Sequence, residues 1–219
     1  MIAKMIPPGR KVADIGTDHA HLPIYLIERG ICSEVIATEI RIGPYTRAVE
    51  NLRRAGLEKV VDLRYGAGFS PLAPREAEVA VVAGMGGEAI AGIIRDEMSV
   101  AKAFDIMLLQ PMTHHGILRQ ELYTLDYEII DEDIAKEGRR FYEIIVAKPG
   151  TAKTPDCIDL VVGPLLRHSK NPLVLQYLEH RANTLERLIR KVGATYTASG
   201  QSALGQYQEE LKLLREVIV

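Results

Sequence analysis

Hydrophobic positions fall into short, nearly continuous runs at residues 11–15, 34–39, 60–64, 79–83 and 105–109, each rich in Val, Ile, Ala or Leu. Runs of this kind suit strands covered on both faces, as in a parallel sheet. The stretches between them predict helices at 20–29, stopped by Gly30, at 45–55, stopped by Gly56, at 88–98 and at 115–125. Strand and helix in alternation predict βα units wound around a parallel sheet.

The rhythm changes after residue 125. Segments 127–134 and 141–148 read as two strands joined by a charged turn containing Gly138, with no room for a crossover helix, and predict a β-hairpin. A parallel sheet closed by an antiparallel hairpin is the arrangement of class I S-adenosylmethionine (SAM) dependent methyltransferases and departs from an all-parallel NAD domain. Beyond Gly163 the period becomes helical. Asn171-Pro172 supplies a cap and a first-turn proline, Leu178, Ala182, Leu185, Ile189 and Val192 form one seam, and Leu204, Tyr207, Leu211, Leu214 and Ile218 form another. The small residues of 193–200 predict a loop folding the two helices back as an antiparallel hairpin. The expected fold is therefore α/β, a Rossmann-like methyltransferase domain over 1–163 followed by a helical, coiled-coil-like domain over 164–219.

Composition changes this picture little. The 219 residues are 47% hydrophobic, with no apolar run long enough for a membrane span and no signal-peptide pattern, so a cytoplasmic protein is expected. Cys32 and Cys157 lie far apart and read as reduced, packed thiols. The net charge is −2, yet from Leu165 onward eight Lys and Arg face five Glu, a balance of 8 − 5 = +3 that leaves −5 on the remainder. A basic tail on an acidic body fits an anionic macromolecule at the C-terminal part, and equally a solvated helix face.

The chemistry concentrates in "VADIGTDHAHLP", residues 12–23. Asp14 and Gly16 sit at the first strand's carboxyl end, where doubly wound sheets bind ligands. Thr17, Asp18 and His19 replace the glycines that would cradle a pyrophosphate, which argues against a dinucleotide. The sulfonium and ammonium of SAM are cations that Asp14 or Asp18 would complement. Glu39 ends the second strand 23 residues after Gly16, a separation that brings an acid to ribose hydroxyls. "RYGAG" (64–68) and "AGMGG" (83–87) follow the third and fourth strands, and the glycines of the latter permit close approach of a cofactor or a flat base. At the fifth strand's end, Gln110 is placed to read a base edge, whereas His114 and His115 read as helix-start residues. Asp18, His19, His21, His114 and His115 lack metal-site spacing, so no metal is expected. Asp18 has three open roles, toward the base, toward the cofactor, or as a helix cap.

Taken together, "VADIGTDHAHLP", "GPYTRAVENL", "AGMGG", "LLQPM" and "EGRRFYEIIVAKPG" closely resemble the bacterial TrmK family of tRNA adenine N1-methyltransferases, over nearly the whole chain. The resemblance implies methylation of adenine 22 in tRNA, with SAM held by Asp14, Gly16, Asp18, His19, Glu39, Ile40, Gly66, Ala67, Gly84, Met85 and Gly86. Asp18 is the expected catalytic residue. Gln110 and Pro111 are expected at the base, and Arg41, Arg139 and Arg140 at tRNA phosphates. A monomer is expected. A small-molecule SAM-dependent methyltransferase and a noncatalytic SAM- or tRNA-binding adaptor are the alternative readings.

Overall fold

The structure is a computed structural model and describes residues 1–151, 153–193 and 198–218. The elements in chain order are α1 (Ile2–Met5), β1 (Val12–Ile15), α2 (His21–Glu28), β2 (Val35–Glu39), α3 (Ile42–Ala55), β3 (Val61–Tyr65) and β4 (Val79–Gly86). There follow α4 (Gly87–Asp96), α5 (Met98–Ala101), β5 (Ile106–Thr113), α6 (His115–Thr124), β6 (Tyr127–Glu137), β7 (Arg140–Pro149), α7 (Cys157–Val161), α8 (Pro172–Gly193) and α9 (Ala198–Ile218).

The strands form one sheet in the order β3-β2-β1-β4-β5-β7-β6. The first five are parallel, and β7 joins antiparallel to β5 with Leu109 opposite Ile145. This is the expected Rossmann-like sheet closed by a hairpin. Its core lies on both faces because successive strand residues point oppositely. Ala80 and Val82 of β4 face Ile90 and Ile94 of α4 and Leu118 and Leu122 of α6. Val79 and Val81 face Leu26 of α2 and Ala48 and Leu52 of α3.

A third apolar cluster joins Ile134 of the hairpin to Val162, Leu166, Val174, Tyr177, Leu178, Leu185 and Leu214. Beneath it lies a buried ionic group. Arg119 of α6 donates to Glu132 of β6 at 2.8 Å and to Glu143 of β7, and the Tyr177 hydroxyl of α8 donates to Glu143 at 2.7 Å. Burial pushes the Glu132 carboxyl above its usual range; for Glu143 burial acts in the same direction, but Arg119, His115 and Arg181 outweigh it and hold that carboxyl below. The C-terminal helices are thus tied to the sheet's hairpin edge.

The Asn171 side chain accepts the Leu173 N–H at 3.0 Å, as the cap at the start of α8 requires. Of the loop expected at 193–200, residues 194–197 lie outside the described residues, while Gly193 and 198–200 are helical. Four of the tail's eight basic side chains form ion pairs among the described residues. Arg167 meets Asp156 and Asp159, Arg181 meets Glu210, Lys212 meets Glu209 and Arg215 meets Glu186. Cys32 is buried, which pushes its thiol up to about 11, but Cys157 is exposed at the first turn of α7 rather than packed. Among the described residues no helix is long and apolar enough to cross a membrane.

Candidate active site

The site lies at the carboxyl end of the parallel strands and starts from β1. All four β1 residues are buried, and the chain leaves the sheet through Gly16, whose φ is +71°. The backbone here calls for glycine, and a Cβ would stand 2.2 Å from Cε of Met85, whose flexible end would have to move aside. Asp18 and Ala20 follow with φ of +54° and +58°, conformations that L residues rarely adopt and that cluster at functional sites. Within this turn the His19 Nε2 stays 3.7 Å from Asp18 Oδ1. Asp18 faces a cavity at the strand ends, while His19 turns to α3. There its Nε2 lies 3.1 Å from Arg47, and its carbonyl accepts from Asn51 at 2.9 Å.

The neighbouring turns are stitched to this one by hydrogen bonds. The Thr17 N–H donates to the Thr38 carbonyl at 2.8 Å, the Gly66 N–H to the Glu39 carbonyl at 3.0 Å, and the Thr38 hydroxyl to the Gly68 carbonyl at 3.1 Å. Glu39, only 2% exposed, anchors the centre. Its Oε2 accepts the Asp18 N–H at 3.2 Å, and its Oε1 accepts the Arg41 N–H at 2.8 Å and Nε at 3.3 Å. Arg41 also reaches Asp18 Oδ1 at 3.4 Å. The guanidinium expected to meet phosphate is therefore committed to two carboxylates of the site wall.

These residues enclose a cavity of about 580 Å³ lined by Gly16, Asp18, Glu39, Ile40, Arg41 and Gly66, by Ala67, Gly68, Ala83, Gly84 and Met85, and by Ile93 of α4. Most of the residues expected at a cofactor thus come together. Asp14, His19 and Gly86 do not line the cavity. Asp14 is buried behind the turn, and burial pushes its carboxyl up to about 6. The Thr17 hydroxyl is near enough to oppose that rise but makes no well-formed hydrogen bond; its Oγ1 is one of two buried unpartnered side-chain atoms among the described residues.

Past Ala83 the structure changes the expected role of the glycine run. β4 continues to Gly86 through a bulge at Gly84, where φ is +77°. Gln110, expected to read a base edge, instead serves that bulge. Its Oε1 accepts the Gly84 N–H at 3.0 Å, and its Nε2 donates to the Pro111 carbonyl at 3.0 Å and contacts Met112 Sδ at 3.4 Å. A Cβ on Gly87 would sit 2.4 Å from the His114 carbonyl oxygen, so this glycine is required by helix-to-strand packing rather than by a ligand. Pro111 is buried within β5 opposite Met85. Helix α2 starts at His21 with Ala20 as its cap residue and no side-chain cap, which removes the helix-cap role for Asp18. His114 and His115 are helix-start residues, as expected. Among the described residues no three His, Cys, Asp or Glu side chains gather as a metal site.

Arg139 and Arg140 lie at the hairpin tip. Since β7 runs antiparallel to β5 and its last pair is Leu109 with Ile145, Arg140 lies five residues, about 16 Å of strand, past that pair toward the carboxyl end of the parallel strands. Ile93 and Ala83 were missed from sequence; Ile93 adjoins the buried stripe of Ile90, Ala91 and Ile94, a helical spacing that could have placed α4 against the sheet.

The chain is similar to known proteins along its whole length. A methyltransferase-domain family matches residues 1–145. The tRNA (adenine(22)-N(1))-methyltransferase of Bacillus subtilis is 34% identical, the match covering 99% of this chain and 94% of that one. The crystal structure of B. subtilis TrmK, an m1A22 tRNA methyltransferase, superposes with a TM-score of 0.86 at 31% identity, over 100% of this chain and 96% of that one. Streptococcus pneumoniae Sp1610 in complex with S-adenosyl-L-methionine superposes with a TM-score of 0.87 at 29% identity, with the same coverage. By this likeness and by the fold that carries the site, the chain belongs to the tRNA (adenine(22)-N1)-methyltransferase family.

Proposed function

We propose that the protein transfers the methyl group of SAM to N1 of adenine 22 in tRNA, with the cavity at the end of β1 as the cofactor site. The observation that carries this reading is the acidic wall where a dinucleotide enzyme would present a phosphate cradle. Asp18 and Glu39 line the cavity, Asp14 lies behind it, and among the described residues Arg41 is the one cation lining it. The residues fit a ligand that is cationic at one end and carries a ribose at the other. Glu39 is fixed by three hydrogen bonds and keeps acceptor capacity for ribose hydroxyls.

When bound, SAM supplies an electrophilic methyl on a positively charged sulfur. Adenine N1 already carries a lone pair, so the chain needs no strong general base, and the titratable groups lining the cavity are Asp18, Glu39 and Arg41. What the protein contributes is orientation and exclusion of water. Asp18, held by the Glu39 bond at its N–H, accepts from the exocyclic amino group and offsets the positive charge of the methylated ring. N1 lies on the Watson–Crick edge, so the base must be unpaired or extruded. Residues 1–163 form the catalytic domain and 164–219 widen the RNA footprint. Arg139 and Arg140, whose guanidinium groups have no ion pair among the described residues, meet phosphates. The protein acts as a monomer in the cytoplasm.

The test is methyl transfer from labelled SAM to two unmodified tRNA transcripts, one with adenine at position 22 and one with guanine. Label entering the first alone supports the reading; label in neither, or in both equally, overturns it.

A further inference from the structure

Beside the cofactor cavity runs a larger groove of about 1070 Å³, walled by α1, α2, the hairpin strands and Leu173 of α8. The two spaces share a wall. Asp18 lines the cavity while His21, three residues on, lines the groove. Gln110 lines the groove while its Oε1 holds Gly84, which lines the cavity. We infer that this groove takes the single-stranded RNA nucleotides flanking the target base, an assignment that rests on the tRNA methyltransferase reading and adds a stacking site to it.

Size, aromatic content and charge each point to that occupant. The groove has nearly twice the volume of the cavity, more room than one extruded base requires. His21 and Tyr25 stand one helical turn apart on the exposed face of α2, and Tyr142 of β7 lies in the same groove. Tyr25 is 44% exposed, and the Arg29 guanidinium lies 5.4 Å from its ring centroid. Exposed rings beside arginine form a platform on which bases of any sequence stack.

The charge around these rings is positive. Lys4 lines the groove, and Arg139 and Arg140 stand at the adjoining hairpin tip; none has an ion pair among the described residues. Lys136 binds the neutral Gln176 at 3.0 Å. The acid lining the groove, Glu137, accepts the Tyr142 hydroxyl at 3.4 Å. Cations that lack acidic partners, set around flat rings, complement a phosphate backbone with unpaired bases.

The chain contains no tryptophan, so Tyr25→Trp installs a single tryptophan in the groove of the full-length protein, excited at the red edge where tyrosine does not absorb. Its emission falls as an unmodified tRNA transcript is added and stays constant with SAM alone. Tyr25→Ala weakens tRNA binding about fivefold or more, the loss of one stacked base, with SAM affinity unchanged, and Tyr25→Phe restores binding. Unchanged emission from a Tyr25→Trp protein that still methylates tRNA, or wild-type tRNA affinity in Tyr25→Ala, overturns the groove assignment and leaves the enzyme reading standing. A wild-type protein that neither binds nor methylates tRNA overturns both. Quenching by SAM alone assigns the groove to the cofactor and overturns the inference.

Discussion

Substituting Gly16→Ala tests the geometry on which the site is built. Two costs follow from the structure. The backbone at φ +71° disfavours an L residue by about 1–2 kcal/mol. The new methyl carbon would also stand 2.2 Å from Met85 Cε, where carbon atoms normally approach no closer than about 3.5 Å. The far end of Met85 must therefore move by more than an ångström, and since Met85 lines the same cavity, the cavity changes shape. A destabilisation of about 2 kcal/mol lowers Tm by roughly 4–8 °C in a chain of this length. SAM affinity, measured by calorimetry, falls at least tenfold. Met85→Ala in the Gly16→Ala background removes the clash but not the backbone cost, so the double variant is more stable than the sum of the single effects predicts. Wild-type Tm and wild-type SAM affinity in Gly16→Ala would refute the reasoning.

Three further perturbations probe other parts of the account. Asp14 holds its proton to about 6 in the folded state against 3.8 when exposed, so the native state binds more protons between those values and stability falls as pH rises through that window. Asp14→Asn removes that fall and is up to about 3 kcal/mol more stable than wild type at pH 7 in urea titrations; identical pH profiles for the two proteins contradict this. Arg119→Met leaves Glu132 and Glu143 buried without their cation and costs about 3–5 kcal/mol; a loss below about 1 kcal/mol in the same titrations sinks the claim that this group ties α8 to the sheet. Gln110→Ala frees the Gly84 N–H and raises the KM for SAM, whereas Gln110→Glu keeps that acceptor but loses the donor to the Pro111 carbonyl and recovers only part of the loss; an effect of Gln110→Ala no larger than that of Gln110→Glu contradicts the bulge-holding role.

Strand positions were legible because two-sided burial leaves continuous apolar runs, and the hairpin because no helix fits between 134 and 141. Strand ends were less so. β4 and β5 run three or four residues past the expected stops, since Gly84 and Pro111 read as breakers while the bulge and its Gln110 bond carry the sheet through. Helices α1, α5 and α7, each of four or five residues, are too short to show a period. Within the site, the acidic turn and Glu39 were readable from spacing along the chain. That Asp18 lines the cavity while His19, 3.7 Å from its carboxylate, does not was hidden, because it depends on left-handed conformations at Asp18 and Ala20 that L residues seldom take. The burial of Arg119 was equally hidden, as its partners stand 13 and 24 residues away and meet it only through the hairpin's packing.

The central claim, that the acid-walled cavity at the end of β1 holds the cofactor, is met most directly by a crystal structure of the protein with S-adenosylhomocysteine. The account predicts the ligand inside the 580 Å³ cavity with its ribose hydroxyls on the Glu39 carboxylate. Density for the ligand in the groove beside His21 and Tyr25, or a ribose that makes no contact with Glu39, would contradict it.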